Sequence, residues 1–336
     1  MTETRVVNLE AIEATRTVIA GLIHRTPMLG SAAAAATIRS ATGVRVADDR
    51  LYLKAEHLQK TGSFKPRGTS ARVAALTDDE RRRGIITTSA GNAAQGYAYA
   101  GRALGVPVTV VMPEAAVRSK VEAATGYGAR VVLEGDSVGG TFAAMERIRD
   151  AEGLTFCHGW DDLMVVTGHG SAGLEIVEDL PDVDVVIVGI GGGGLISGIA
   201  VAVKEQRPGA RIFGVEPTGS DAMSQALAAG RPVPIQARSV ADGLNAPFAG
   251  GHTLPLVQHY VDDVILIDDA TILGGVRFAL ERMKQVLEPA GAAALAATLY
   301  GRIPLRDGNR VAVVLSGGNV AVERLGELIA AAAPLV

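Results

Sequence analysis

Cysteine is almost missing from this chain of 336 residues, with Cys157 the only one. A single thiol cannot close an internal disulfide, and no CxxC pair or paired histidine stands near it. A disulfide framework is therefore excluded, and a buried free thiol is expected. A reducing, cytoplasmic setting is the expectation that follows. An excess of positive charge is missing too. The net charge is −4, and the run Arg81-Arg82-Arg83 directly follows Asp78-Asp79-Glu80, which offset it. The chain thus offers no basic field to a polyanion, and no nucleic-acid partner is expected. Residues 1–30 have no continuous apolar core of a secretory signal, because Glu3, Glu10 and Glu13 interrupt them, so no export is expected. The longest uncharged stretch, 185–203, is as long as a membrane span but contains Gly189, Gly191 to Gly194 and Gly198. Glycine is a poor helix former, so a strand, a turn and a helix are predicted there and no membrane partner. The histidines His24, His57, His158, His169, His252 and His259 contain no i, i+4 pair, which assigns them structural rather than metal-binding roles.

What remains is a globular composition. Hydrophobic residues make up 48% of the chain and charged residues 20%, enough for a large core and a length of about two domains. Apolar β-branched runs at 107–112, 130–133, 183–188, 211–215 and 311–315 are mostly separated by Ala-rich helical patterns. That alternation predicts an α/β fold of parallel sheets covered by helices. Between Met112 and Arg130, Pro113-Glu114 predicts a helix opening that buries Val117, Val121 and Ala124, with Gly126 and Gly128 closing it. No period of roughly 20–50 residues repeats and no Pro/Ser-rich linker is present. A second domain is therefore expected to be inserted into the first.

Four segments carry chemistry. The strand pattern Val185-Val186-Ile187-Val188-Gly189-Ile190 runs into Gly191-Gly192-Gly193-Gly194-Leu195-Ile196-Ser197-Gly198. A glycine turn entering a helix presents bare N–H groups beside the positive end of the helix dipole, so a phosphate is the expected occupant. The Lys-Ser/Thr of a nucleotide P-loop is missing, and the spacing is not G-x-G-x-x-G. In Lys60-Thr61-Gly62-Ser63-Phe64-Lys65-Pro66-Arg67-Gly68, which leads into the helical pattern from Ser70 to Leu76, Lys65 sits at a loop-to-helix junction beside hydroxyls and a flat apolar ring. A lysine nucleophile needs such partial desolvation to lower its pKa, although an isolated lysine is ordinarily a solvated surface charge. The third segment is Thr87-Thr88-Ser89-Ala90-Gly91-Asn92-Ala93-Ala94-Gln95-Gly96, in which Ser89 can serve as a helix N-cap. The fourth is Val311-Ala312-Val313-Val314-Leu315-Ser316-Gly317-Gly318-Asn319. Ligands of open α/β sheets collect at strand carboxyl ends, so Ser316 is expected at the same crevice as the glycine loop.

Taken in order, these segments resemble the fold-type II pyridoxal-phosphate enzymes, in particular the serine/threonine dehydratase and serine racemase branch. The Schiff-base lysine pattern resembles Ser63-Phe64-Lys65-Pro66-Arg67-Gly68, the cofactor-hydroxyl asparagine Asn92, the phosphate loop Gly191 to Gly194, and the pyridine-nitrogen serine Ser316. Further matches are His24-Arg25-Thr26-Pro27, Gly214-Val215-Glu216-Pro217, Ala241-Asp242-Gly243 and Glu288-Pro289-Ala290-Gly291. The resemblance runs from about residue 20 to 325. It implies two open, mostly parallel twisted sheets with helices on both faces, like the tryptophan synthase β fold. It also implies a large cofactor domain of residues 1–83 plus 162–336 and a small inserted domain of 84–161. Pyridoxal 5'-phosphate is the implied cofactor, bound by Phe64, Lys65, Asn92, Gly191, Gly192, Gly193, Gly194, Leu195, Gly243, Glu288, Ser316 and Gly317. Ser63, Ser89, Ala90, Gly91, Ala93 and Tyr127 are the implied substrate-side residues, for a small amino acid, in a homodimer or homotetramer.

The implied reaction is loss of water from a β-hydroxy amino acid, giving a 2-oxo acid and ammonia. Lys65 acts as base in it, and the neutral hydroxyl of Ser316 favours prompt loss of the β-substituent. Racemases of this branch place a serine where this chain has Ala90, and β-replacement enzymes carry a threonine after the asparagine, so both are alternatives of lower rank. A non-catalytic phosphate-ligand binding protein is the alternative from another class, and it leaves Lys65 and Ser316 unexplained. Two departures stand out. Ala93 occupies the position where the family most often has histidine, which puts the substrate's identity in question. The branch's cation site resembles Glu216 plus an acidic residue six positions on, where this chain has Ala222, with Asp221 one residue short. No required metal is expected, and Glu216 reads as a solvated or helix-capping carboxylate.

Overall fold

Val185 to Gly189 are buried along their whole length, so their strand needs a helical layer on each face. The computed structural model, which describes residues 7–334, supplies both layers. Its strands are β1 (Met28–Ser31), β2 (Leu51–Lys54), β3 (Ile85–Thr88), β4 (Val108–Met112), β5 (Arg130–Leu133), β6 (Thr155–Phe156), β7 (Val185–Gly189), β8 (Arg211–Pro217), β9 (Asp263–Ile267) and β10 (Val311–Val314). A six-stranded sheet has the order β1-β2-β10-β7-β8-β9, and a four-stranded sheet the order β5-β4-β3-β6. Among the described residues, every pairing between these strands is parallel except β1 with β2.

Alternation along the strands sorts the core. Val185, Ile187, Phe213, Val215, Val311 and Val313 pack under the helices Ala32–Thr42, Asp269–Phe278 and Pro289–Leu299. Val186, Val188, Ile212, Ala312 and Val314 pack on the opposite face under Leu163–Asp179, Gly194–Gln206, Ala222–Ala229 and Thr253–Tyr260. In the smaller sheet, Ile85, Val110 and Met112 meet Tyr97, Ala98 and Ala124, while Ile86 and Val111 meet Met145 and Ile148. Each Val, Ile, Phe or Met side chain among these contributes roughly 1.5–3 kcal/mol when fully buried. The stretch 185–203 is strand, turn and helix as expected, and no described helix is long and apolar enough to cross a membrane.

Three expectations are corrected. The helix after β4 begins at Arg118, not at Pro113-Glu114, and Val117 is 57% exposed. The Glu114 N–H donates to Gly135 O at 3.0 Å, which ties this segment to the loop after β5 and delays the helix. The helix expected from Ser70 starts at Lys65, with Pro66 in its first turn, where a missing N–H costs nothing. Ser89 is not an N-cap. Gly91 caps the Asn92–Leu104 helix, and the Ser89 hydroxyl instead accepts the Gly91 N–H at 3.1 Å.

Candidate active site

Parallel strands put their carboxyl ends on one edge, and the chemistry-bearing loops follow those ends. β3 leads into Ser89–Asn92, β7 into Gly191–Gly194, and β10 into Leu315 and Ser316. The loop before Lys65 is stitched to the end of β10: Ser63 bridges Gly317, and the Phe64 N–H donates to Ser316 O at 3.1 Å. Lys65 and Ser316 are thereby brought to one place. The Ser316 hydroxyl is buried and makes one long contact, 3.4 Å to Ala290 O. The hydroxyls of Ser63 and Thr61 are buried with no partner among the described residues.

The glycine loop has a geometry that suits an anion. Gly193 has φ of 95°, a conformation that side chains with a Cβ avoid. The carbonyl of Gly192 is taken by the Thr253 hydroxyl at 2.7 Å and the Gly250 N–H at 3.2 Å. The N–H groups of Gly191, Gly192, Gly193, Gly194 and Leu195 have no acceptor among the described residues. Successive buried donors of this kind ask for a partner with several acceptor oxygens. A phosphate monoester fits that demand.

Lys65 is half-buried, and its ammonium donates to Gly159 O at 2.8 Å. Desolvation pushes its pKa down to about 8, with Glu288 opposing. Glu288 is nearly buried, and its carboxyl is pushed up to about 8 by burial and by Asp242. Asn92 donates to Glu288 Oε1 at 2.6 Å, while its own oxygen accepts from Asn319 at 2.8 Å. Asn319 also donates to Thr61 O at 2.7 Å. Asn92 is thus held from two sides. Asn319 ends the segment that carries Ser316, but nothing in the sequence pointed to this bracing role.

Behind Lys65 lies a buried ion network that sequence reasoning also missed. Arg67, in the first turn of the same helix, is 0% exposed. It pairs with Glu56 through Nε at 2.7 Å and Nη2 at 2.8 Å, and with Glu175 through Nη1 and Nη2 at 2.8 Å each. Lys54, at the end of β2, donates to Glu175 at 2.6 Å and to Thr26 O at 2.7 Å. The Arg67 charge holds the Glu56 carboxyl below its ordinary pKa against strong desolvation. The only hint in the sequence was a lysine closing an otherwise apolar strand.

The remaining predicted residues take definite places. Ser89, Ala90 and Gly91 are half-buried at the end of β3, and Ala93 is 6% exposed beside Gly159. The Tyr127 hydroxyl reaches Lys60 O at 3.4 Å, which spans from the smaller sheet's helices to the Lys65 loop. Gly243 packs on Ala290, and Leu195 is buried. Glu216 is 0% exposed, which corrects the solvated alternative, and it accepts from the N–H groups of Met223 and Ser224 at 2.8 and 2.9 Å. It caps the Ala222–Ala229 helix, and burial pushes its carboxyl up to about 7. Cys157 is buried, with its thiol pushed up to about 12.

Comparison with known proteins gives one answer. A family model described as "Pyridoxal-phosphate dependent enzyme" matches residues 19–317. The L-threonine ammonia-lyase of Thermotoga maritima is 39% identical over 324 residues, covering 96% of this chain and 78% of its own. The structure of maize serine racemase superposes with a TM-score of 0.88 at 34% identity, covering 95% of this chain and 96% of its own. The serine racemase of Dictyostelium discoideum gives a TM-score of 0.84 at 33% identity, covering 94% and 99%. With a glycine loop whose free N–H groups suit a phosphate, and with a desolvated lysine held at the end of β10, the chain belongs to the family of pyridoxal-phosphate dependent enzymes, and pyridoxal phosphate is its cofactor.

Proposed function

We propose that this enzyme is a dehydratase, an ammonia-lyase that removes water from a small β-hydroxy amino acid of the threonine or serine kind to give a 2-oxo acid and ammonia. The carrying observation is Lys65, an amine with a pKa near 8 whose only hydrogen-bond partner among the described residues is the Gly159 carbonyl. The name of its Thermotoga maritima relative, an ammonia-lyase acting on L-threonine, supports the same reaction. When bound, the cofactor supplies the electron sink that acidifies the Cα–H of an amino acid.

The protein's part is positioning and proton transfer. Lys65 would hold the cofactor through its amine, and that amine, when free and unprotonated, would serve as base for the Cα proton. A pKa close to the working pH keeps a useful fraction unprotonated. The loop 191–194 and Leu195 would hold the phosphate, and Asn92, braced by Asn319 and Glu288, would orient the ring's hydroxyl. Ser316 would offer the ring nitrogen a neutral hydroxyl, which would not hold a full positive charge there as a carboxylate would. Ser63, Ser89, Ala90, Gly91, Ala93 and Tyr127 face the substrate. Racemisation is the second reading, favoured by the likeness to the two serine racemases. It needs a proton donor on the opposite face of the substrate, and Ala90 provides none.

The same reading divides the chain into a large unit, 1–83 plus 162–336, and a small unit, 84–161. In support, every strand of the smaller sheet falls between Ile85 and Phe156. We further propose a cytoplasmic homodimer or homotetramer, which light scattering of the purified protein tests for assembly. The activity is tested by measuring 2-oxo acid and ammonia release from a panel of β-hydroxy amino acids, both enantiomers included. At least one should yield equal amounts of both products with the native enzyme and none with Lys65→Ala. Borohydride reduction should label Lys65. Racemised substrate without oxo acid would replace the dehydratase reading with the second one.

A further inference from the structure

Trp160 is the only tryptophan in the chain, and it sits on the segment that returns from β6 to the Leu163–Asp179 helix. A Cβ added to Gly192 would strike its Cδ1, Nε1 and Cε2 atoms, and a Cβ on Gly194 would stand 2.9 Å from its carbonyl oxygen. The nitrogen-bearing edge of the indole, not its benzene edge, therefore lies on the glycine loop. The Nε1 atom is buried and has no partner among the described residues. An indole N–H can only donate, and leaving such a group buried without an acceptor is unfavourable.

The unsatisfied groups at this spot share one sign. The Gly192 carbonyl is committed to Thr253 and Gly250. The N–H groups of Gly191 through Leu195 are free among the described residues, and the Trp160 N–H is free beside them. Five amides and an indole lack the same partner, an anion with several oxygens. The ring is also held in place before any ligand arrives. His158 packs edge-on at 4.5 Å and Phe248 at 5.5 Å. The His158 Nδ1 accepts the N–H groups of Trp160 and Asp161 at 3.2 and 2.9 Å. Asp161 in turn accepts those of Gly251 and His252 at 2.9 and 2.8 Å.

We infer that the indole N–H of Trp160 is a side-chain donor to the phosphate group held by the glycine loop. This rests on the reading of that loop as the phosphate site. The test compares pyridoxal phosphate with pyridoxal, which lacks the phosphate, on the native protein and on Trp160→Phe, which keeps a ring but removes the donor. The substitution should weaken pyridoxal phosphate binding by about tenfold or more, as expected for one charge-assisted hydrogen bond. Its affinity for pyridoxal should not change. Equal affinity of both proteins for pyridoxal phosphate would overturn the inference. A native protein that does not prefer pyridoxal phosphate to pyridoxal would overturn the loop assignment instead. A measurement that needs no variant uses the single indole N–H resonance of the ¹⁵N-labelled native protein. It should move downfield with pyridoxal phosphate and with inorganic phosphate but not with pyridoxal. A resonance indifferent to both phosphates sinks the proposal.

Discussion

Replacing Arg67 by methionine tests how firmly the fold holds Lys65. The substitution removes both contacts to Glu56 and both to Glu175, all between 2.7 and 2.8 Å. Glu56 is then left with the Thr26 hydroxyl, and Glu175 with Lys54 at 2.6 Å. Two cations against two carboxylates become one against two at a site where Arg67, Lys54 and Glu56 are 0% exposed. Breaking a buried pair from one side costs about 3–5 kcal/mol, because the remaining charge is stranded without solvent. The strain can be relieved by protonating Glu56, so the loss should be greatest near pH 8 and smaller near pH 5. Urea unfolding of the cofactor-free protein, followed by circular dichroism, measures it. Adding Glu56→Gln should recover part of the loss, with a coupling of about 0.5–3 kcal/mol. Arg67→Lys keeps the charge but not the fork, and should fall between the native protein and the methionine variant. A methionine variant that loses less than about 1 kcal/mol, or a double variant weaker than the single one, would refute the argument.

Glu288→Gln should stabilise the cofactor-free protein increasingly as pH rises. The Glu288 carboxyl is raised from 4.5 to about 8, so between these values the native state binds more protons than the unfolded one. Its contribution therefore falls with rising pH by at most about 1.4 kcal/mol per unit. Urea midpoints at pH 5 and pH 8 check this, and a gain independent of pH refutes it. Lys65→Met removes a pH dependence of the opposite sign, because a lysine lowered from 10.5 to about 8 makes native stability rise with pH between those values. An unchanged slope there speaks against desolvation of the amine. Gly317→Ala should cost about 1–3 kcal/mol and weaken cofactor binding, since the new Cβ would land on Glu288 Oε1 and within 3.4 Å of Asn92 Nδ2. Thermal unfolding and cofactor titration read both effects. Cys157, buried with its thiol pushed up to about 12, should resist an aromatic disulfide reagent at pH 8 until the protein is unfolded. Rapid labelling of the native state would contradict its placement.

Much of the candidate site could be proposed from the sequence because certain residues carry their own geometry. Gly191 to Gly194 announce free N–H groups and backbone that can be approached closely, wherever the chain places them. Lys65 between hydroxyls, an aromatic ring and a proline, and Ser316 after an apolar run, mark loops at strand ends. The parallel sheets were legible in β4, β5, β7, β8 and β10, which are largely continuous apolar runs. β1 was not, because it is a short, partly exposed edge strand interrupted by Gly30, and β9 was passed over although Val264 to Ile267 form an apolar run like that of the edge strand β5. The start of the helix at Arg118 depends on a hydrogen bond to Gly135, which no local pattern foretells.

By itself, then, the amino-acid order determined the fold class and pointed to the proposed phosphate loop and the proposed reactive lysine, each written in a few adjacent residues. Tertiary structure alone decided how those groups are braced and tuned. Asn92 and Asn319 lie 227 positions apart, Arg67 and Glu175 108, and Lys54 and Glu175 121. No periodicity relates such pairs. Only parallel strands ending on one edge, with helices packed behind them, bring the charges together and exclude the water that would otherwise screen them.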